Sequence, residues 1–162
     1  MIDEKMKIQL REHFAKLSHS LVLRVWKSDH QAYSELLALL NQVAEISEKI
    51  NIEWHREESE IIQFDILQDG KPTGIIFRGI PGGHEFSTFV LALLNAGGVG
   101  KMPDRGLSQR IQNIQGEVTL HSYVSLSCEI CPDVMQTLNQ ITLLNDHVSH
   151  VITDDQYDVW FL

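Results

Sequence analysis

The 162-residue chain has only two cysteines, Cys128 and Cys131, and they stand three positions apart. A loop that short cannot staple a fold, so a disulfide framework is excluded and the pair reads as catalytic or metal-binding in a reducing compartment. Positive charge is also scarce: 13 Lys and Arg face 22 Asp and Glu, a formal net charge of -9. That balance argues against nucleic acid and anionic membrane surfaces, which need a basic footprint, and in favour of a soluble protein partner. No apolar run is long enough to span a bilayer, and Met1-Ile2-Asp3-Glu4-Lys5-Met6 lacks the blocks of a signal peptide. A cytoplasmic location is the expectation. There is no Gly-rich dinucleotide fingerprint either, so the chain alone is not expected to use NADH or NADPH.

With 43% apolar residues, this length allows one substantial core or two small ones sharing an interface. Met6, Leu10, Phe14 and Leu17 recur at helical spacing and predict an amphipathic opening helix over residues 3–17. Leu21 to Trp26 reads as a strand. Ser28 and Gln31 have capping-box spacing ahead of a helix with Leu36, Leu37, Leu40 and Val43 on its apolar face. Short strands follow at Asn51 to His55, Ile61 to Leu67 and Gly74 to Phe77, the last two joined by the turn Asp69-Gly70-Lys71-Pro72. Gly82-Gly83-His84-Glu85 opens a further helix, which Gly97 and Gly98 end.

After a partly helical connection at Lys101 to Gln115, the pattern restarts. The strand Glu117 to Val124 leads into Ser125-Leu126-Ser127-Cys128-Glu129-Ile130-Cys131-Pro132-Asp133, a helix runs to about Asn145, and His147 to Ile152 is a last strand. Strand, C-x-x-C, helix is the thioredoxin arrangement, in which the unpaired N–H groups of a helix start stabilise a thiolate. The fold class expected is α/β, with tandem thioredoxin-like folds. The first is complete but has Ser28-Asp29-His30 at the corner where cysteines would stand; the second carries C-x-x-C and stops after its β-α-β half. The domain expectation is a redox-inactive fold over 1–100, a linker helix over 101–116, and a partial fold over 117–162, the two packing as one unit.

Two blocks make the chain resemble a known family. One is Gly83-His84-Glu85-Phe86 with Val90-Leu91-Ala92-Leu93-Leu94 and Gly97-Gly98; the other is Ser125 to Cys128 with Cys131-Pro132-Asp133-Val134, Gln136, Leu138-Asn139 and Leu144-Asn145. Together they are similar to the N-terminal domain of the flavoprotein component of bacterial alkyl hydroperoxide reductase. The resemblance implies a thiol-disulfide electron carrier, fed by the family's flavoprotein disulfide reductase module and delivering to a peroxiredoxin subunit. FAD and NADH are implied only for the family's C-terminal region, and no cofactor is implied for this chain. The resemblance makes Cys128 the attacking thiolate, Cys131 the resolving thiol and Glu85 a proton-moving carboxyl. Glu129, where the family usually has His, is expected to slow attack by Cys128 through like-charge repulsion.

Plainer readings stand beside these. Two thiols at this spacing also bind zinc, with His121, His147 or His150 to complete the site, although metal sites with two thiols usually come as two close ligand pairs. Glu85 also suits a helix first turn as an ordinary dipole partner. The alternative function is a binding module without turnover, whose apolar tail Val159-Trp160-Phe161-Leu162 docks a partner or mediates self-association, as in a homodimer where it covers an exposed sheet edge.

Overall fold

The computed structural model describes residues 2–125 and 127–157; the tail Val159 to Leu162, expected to cover a sheet edge, lies outside them. Asp3 starts the first helix, α1 (Glu4–Phe14), by accepting the Met6 N–H at 2.8 Å, which satisfies one of the free donors of the first turn. Leu10 and Phe14 are its buried residues. Strand β1 (Leu21–Lys27) alternates buried and half-buried positions, as a sheet with one core face requires. The Ser28 and Gln31 capping box does not form. Helix α2 (Tyr33–Ile46) begins too far downstream, and Ser28 Oγ instead accepts the His30 N–H while His30 Nδ1 accepts the Ala32 N–H.

Three strands follow: β2 (Ile50–Glu58), β3 (Gln63–Gln68) and β4 (Lys71–Arg78). The β3–β4 turn is tighter than the sequence suggests, because Gln68 pairs with Lys71 and only Asp69 and Gly70 remain outside the ladder. Both have positive φ, 49° and 83°, the geometry that a two-residue hairpin needs. Pro72 therefore lies inside β4, which is tolerated because β4 pairs on its other side only from Ile75 onward. Helix α3 (Glu85–Ala96) comes next, then α4 (Arg105–Gln112), β5 (Val118–Val124), α5 (Cys131–Leu144) and β6 (Val148–Asp154).

The six strands form one sheet in the order β2-β1-β3-β4-β6-β5. All are parallel except β3, which runs against both of its neighbours. The first four strands with α2 and α3 make a complete thioredoxin-like fold, and β5-α5-β6 repeats its opening β-α-β. β6 joins the copies by pairing with β4, Ile75 opposite His150 and Phe77 opposite Ile152. Among the described residues β5 pairs on one side and is an edge of the sheet.

Cross-strand register puts Leu23, Ile66, Phe77 and Ile152 on a common face, and the core takes its strand residues from that face. Leu10 and Phe14 of α1, Leu36 and Leu40 of α2, Phe89 and Leu93 of α3 and Met135 of α5 join the same core, so these helices share one side of the sheet. At its centre Phe89 meets Phe64 and Phe77 edge-on, with ring centroids 5.2 and 5.6 Å apart. The opposite face carries Arg24 and Asp65, joined by two hydrogen bonds of 2.9 and 2.6 Å. No helix among the described residues is long and apolar enough to cross a membrane.

Candidate redox site

Because five strands are parallel, their C-terminal ends, Lys27, Glu58, Arg78, Val124 and Asp154, lie at one edge of the sheet. The segments that leave this edge hold nearly all the chemistry the sequence suggests. After β5, the chain turns at Ser125, whose carbonyl accepts the Cys128 N–H at 3.0 Å. Cys128 and Cys131 are joined in a disulfide, with Cα atoms 5.5 Å apart. Helix α5 starts at Cys131, with Pro132 fitted to its first turn, so Cys128 stands just ahead of the helix rather than within it. Both cysteines are half-buried, and Cys131 packs against the core.

Around the pair the surface is mixed, with Ser127, Glu129 and Asp133 exposed beside apolar side chains. Ile130, between the cysteines, is 73% exposed, and Val134 and Tyr123 are exposed as well. Glu129 is also at the surface. Exposed apolar side chains beside a disulfide, Ile130 and Val134 here, are suited to a protein partner, which would cover them on docking.

Glu85 is the first residue of α3 and is buried, with 2% of its surface exposed. It lines a narrow cavity of about 10 Å³ with Phe77, Ile80, Val124, Ile152 and Asp154 among its walls. Val124 is the residue that leads into the redox loop; neither cysteine lines the cavity. Burial pushes the Glu85 carboxyl above its ordinary range, Thr88 and His84 pull it down, and the charge of Asp154 pushes it further up. Neither Glu85 oxygen has a partner at full hydrogen-bond geometry among the described residues, although the Thr88 hydroxyl is near enough to lower the carboxyl's pKa. The helix-dipole reading accounts for a glutamate in the first turn, but an exposed one would serve that purpose without the cost of burial.

The three histidines considered as zinc ligands have other surroundings. His150 is fully buried, its Nδ1 2.8 Å from Asn139 Oδ1 and its Nε2 2.7 Å from Ser122 Oγ. With Asn139 Oδ1 as acceptor, Nδ1 carries the hydrogen and Nε2 accepts from Ser122. His147 Nδ1 pairs with Glu117 at 3.0 Å, and His121 is exposed on the β5 face opposite Ser122. Among the described residues no cluster of three or more His, Cys, Asp or Glu side chains is placed to hold a metal ion.

Two features here go beyond the residues the sequence singles out for chemistry. Asp154 looks like a solvated acid when the strand is read as ending at Ile152, whereas β6 runs on to Asp154 and places it on the face of His150 and Ile152. The Ser122–His150–Asn139 network did leave a signal, because His150 shares a face with Val148 and Ile152 at the two-residue spacing of a strand.

No protein-family model matches the chain. It is 35% identical over 154 residues to a protein named NADH dehydrogenase from Bacillus subtilis, and 35% identical over 158 residues to the F subunit of alkyl hydroperoxide reductase from Escherichia coli. Each alignment covers 95% of this chain and 30% of the relative, so the chain spans under a third of the length of these curated relatives. Among solved structures it is similar to the NTD_N/C domain of alkylhydroperoxide reductase AhpF from Enterococcus faecalis, with a TM-score of 0.88 and 30% identity over 96% of this chain and 81% of that one.

Proposed function

The chain belongs to the AhpF family of alkyl hydroperoxide reductase proteins, matching the N-terminal domain, and from that premise we propose that it carries two electrons between a flavoprotein reductase module and the disulfide of a peroxiredoxin. The observation that carries this reading is the Cys128–Cys131 disulfide at the start of α5, half-buried with the apolar side chains of Ile130 and Val134 exposed beside it.

In the reduced form, the Cys128 thiolate attacks one sulfur of the partner disulfide. A mixed disulfide forms and the partner's other sulfur leaves as a thiolate. Cys131, on losing its proton, attacks Cys128 Sγ, which closes the intramolecular disulfide and releases the second partner thiolate. Two electrons pass to the partner, and each thiolate it gains takes up a proton. Glu85 is the carboxyl proposed to move protons here, because burial raises its proton affinity above that of an ordinary carboxyl and it stands in the cavity that Val124, the residue before the redox loop, also lines. The reductase module then returns two electrons to the Cys128–Cys131 disulfide.

The test is a redox titration against graded dithiol buffers, read by alkylation and intact mass with a zinc assay on the same sample, followed by transfer to a peroxiredoxin. A single two-electron transition in the thioredoxin range, about -270 mV, and a mixed disulfide that accumulates in Cys131→Ser are expected. Thiols that never pair, or that hold stoichiometric zinc, would overturn the proposal.

One observation favours a second reading, self-association: β5 pairs on one side among the described residues, and an open edge invites another strand. Light scattering on the full chain and on a chain lacking residues 156–162 tests it, and a monomer in both would sink it.

A further inference from the structure

The cavity that holds Glu85 contains a second acid to which the electron-carrier reading gives no task. Asp154 ends β6 and is 5% exposed. Its Oδ1 accepts the Gln156 N–H at 3.0 Å, and its Oδ2 has no partner among the described residues. Three carboxyl oxygens of the two acids that wall this cavity thus lack a partner at full hydrogen-bond geometry among the described residues. The space of about 10 Å³ is at the lower limit for one water molecule, so it cannot hydrate two carboxylates.

The surroundings supply little compensating charge. Arg78 lines the cavity from β4, but its guanidinium lies on the far face of the sheet, where Nε donates to Gln63 Oε1 at 3.2 Å. His84, next to Glu85, is exposed and opposes its shift weakly. Thr88 on α3 offers a hydroxyl and no charge. Asp155, exposed beyond β6, adds a like charge that raises Asp154, although burial is the main cause of that rise. Tyr157 stays a neutral phenol, held up by burial and by the charges of Glu35 and Asp154. Two carboxyls lining one such site oppose each other's ionisation, since like charge and desolvation act in the same direction.

We propose that Glu85 and Asp154 hold one proton in common, and that Asp154 is the positioning residue that keeps this proton in the cavity until the thiols turn over. The inference rests on the reading that Glu85 serves thiol exchange. Geometry connects the pair to the redox loop: Asp154 is opposite Val124 in the β5–β6 ladder, and the Asp155 N–H donates to the Val124 carbonyl at 3.0 Å. A change of proton occupancy at β6 is therefore felt at the residue from which the cysteine loop departs.

Carboxyl carbon NMR on the oxidised full chain, with Glu85→Gln and Asp154→Asn alongside, tests the pairing. The wild type should show two coupled steps. Asp154→Asn, which keeps an acceptor for the Gln156 N–H, should lower the Glu85 midpoint by about one pH unit, and Glu85→Gln should do the same to Asp154. Midpoints that do not move in either variant overturn the shared proton. Should a variant fail to fold, the wild-type titration decides, since two independent single-site curves refute the pair. The pH profile for reduction of a small aromatic disulfide by the dithiol form is the second readout. Its acid limb should move with the Glu85 midpoint in Asp154→Asn. Coupled midpoints with an exchange rate indifferent to both substitutions would leave the shared proton standing and refute the exchange role of Glu85.

Discussion

Acidification should destabilise this chain through one residue, His150. The imidazole is fully buried under α5, and burial, with a smaller contribution from the charge of His121, holds its pKa at about 4 against an ordinary 6.5. The folded protein thus keeps His150 neutral across a range in which the unfolded chain protonates it. Between pH 6.5 and 4 the unfolded state binds more protons, so stability rises with pH there and is lost as pH falls through the same window. At about 1.4 kcal/mol per pH unit the loss comes to about 3 kcal/mol, complete near pH 4. Glu85 and Asp154 act the opposite way, their raised values favouring the folded state at low pH, so the comparison needs a variant that retains them. His150→Gln removes the titration. Urea unfolding at pH 7, 6, 5 and 4 should find the wild type ahead at pH 7, by about 1–3 kcal/mol for the hydrogen bonds to Asn139 and Ser122, with the gap closing or reversing by pH 4. Stability curves that run parallel across the four pH values would refute the reasoning, as would a His150 midpoint at 6 or above by NMR.

Gly74→Ala should cost about 1–3 kcal/mol in chemical unfolding, because Gly74 has a φ of 87° and an added Cβ would lie 3.0 Å from the Val148 carbonyl at the seam between the two copies. Asn145→Ala should cost about 1–3 kcal/mol and raise amide exchange in α4, since Asn145 Nδ2 donates to the carbonyls of Ile111 and Ile114, both at 2.9 Å. Glu129→Gln should speed alkylation of reduced Cys128 at pH 7 by removing a like charge beside the thiolate; an unchanged rate would show that Glu129 points its charge away. Phe89→Ala should lose about 3–5 kcal/mol by opening a cavity between Phe64 and Phe77.

Much of the fold was legible because period and punctuation agreed. Leu21 to Trp26 is rich in the β-branched and aromatic residues a strand favours, and Gly97 and Gly98 end α3 where the pattern says. Boundaries fared less well where a side chain took an unexpected task. Ser28 turns the chain into α2 with the help of His30, five residues ahead of the helix that it was expected to cap. The pairing of β4 with β6 was not legible, because hydrophobic alternation tells which face a strand buries and not which neighbour it takes. At the site, the C-x-x-C and its helix could be read directly. The burial of Asp154 could not, since its cause is the wall that Ile80, Val124 and Ile152 build around it from distant parts of the chain.

The seam between β4 and β6 has a consequence for any attempt to dissect the chain. Cleaving it near residue 100 would leave an open ladder on each piece, Ile75 to Arg78 on one and His150 to Thr153 on the other. Each raw edge is the natural complement of the other. The two pieces should reassociate as a fragment complementation pair when mixed, and aggregate when kept apart. In the intact chain, melting of the redox half and of its cysteine-free companion should coincide in one calorimetric transition.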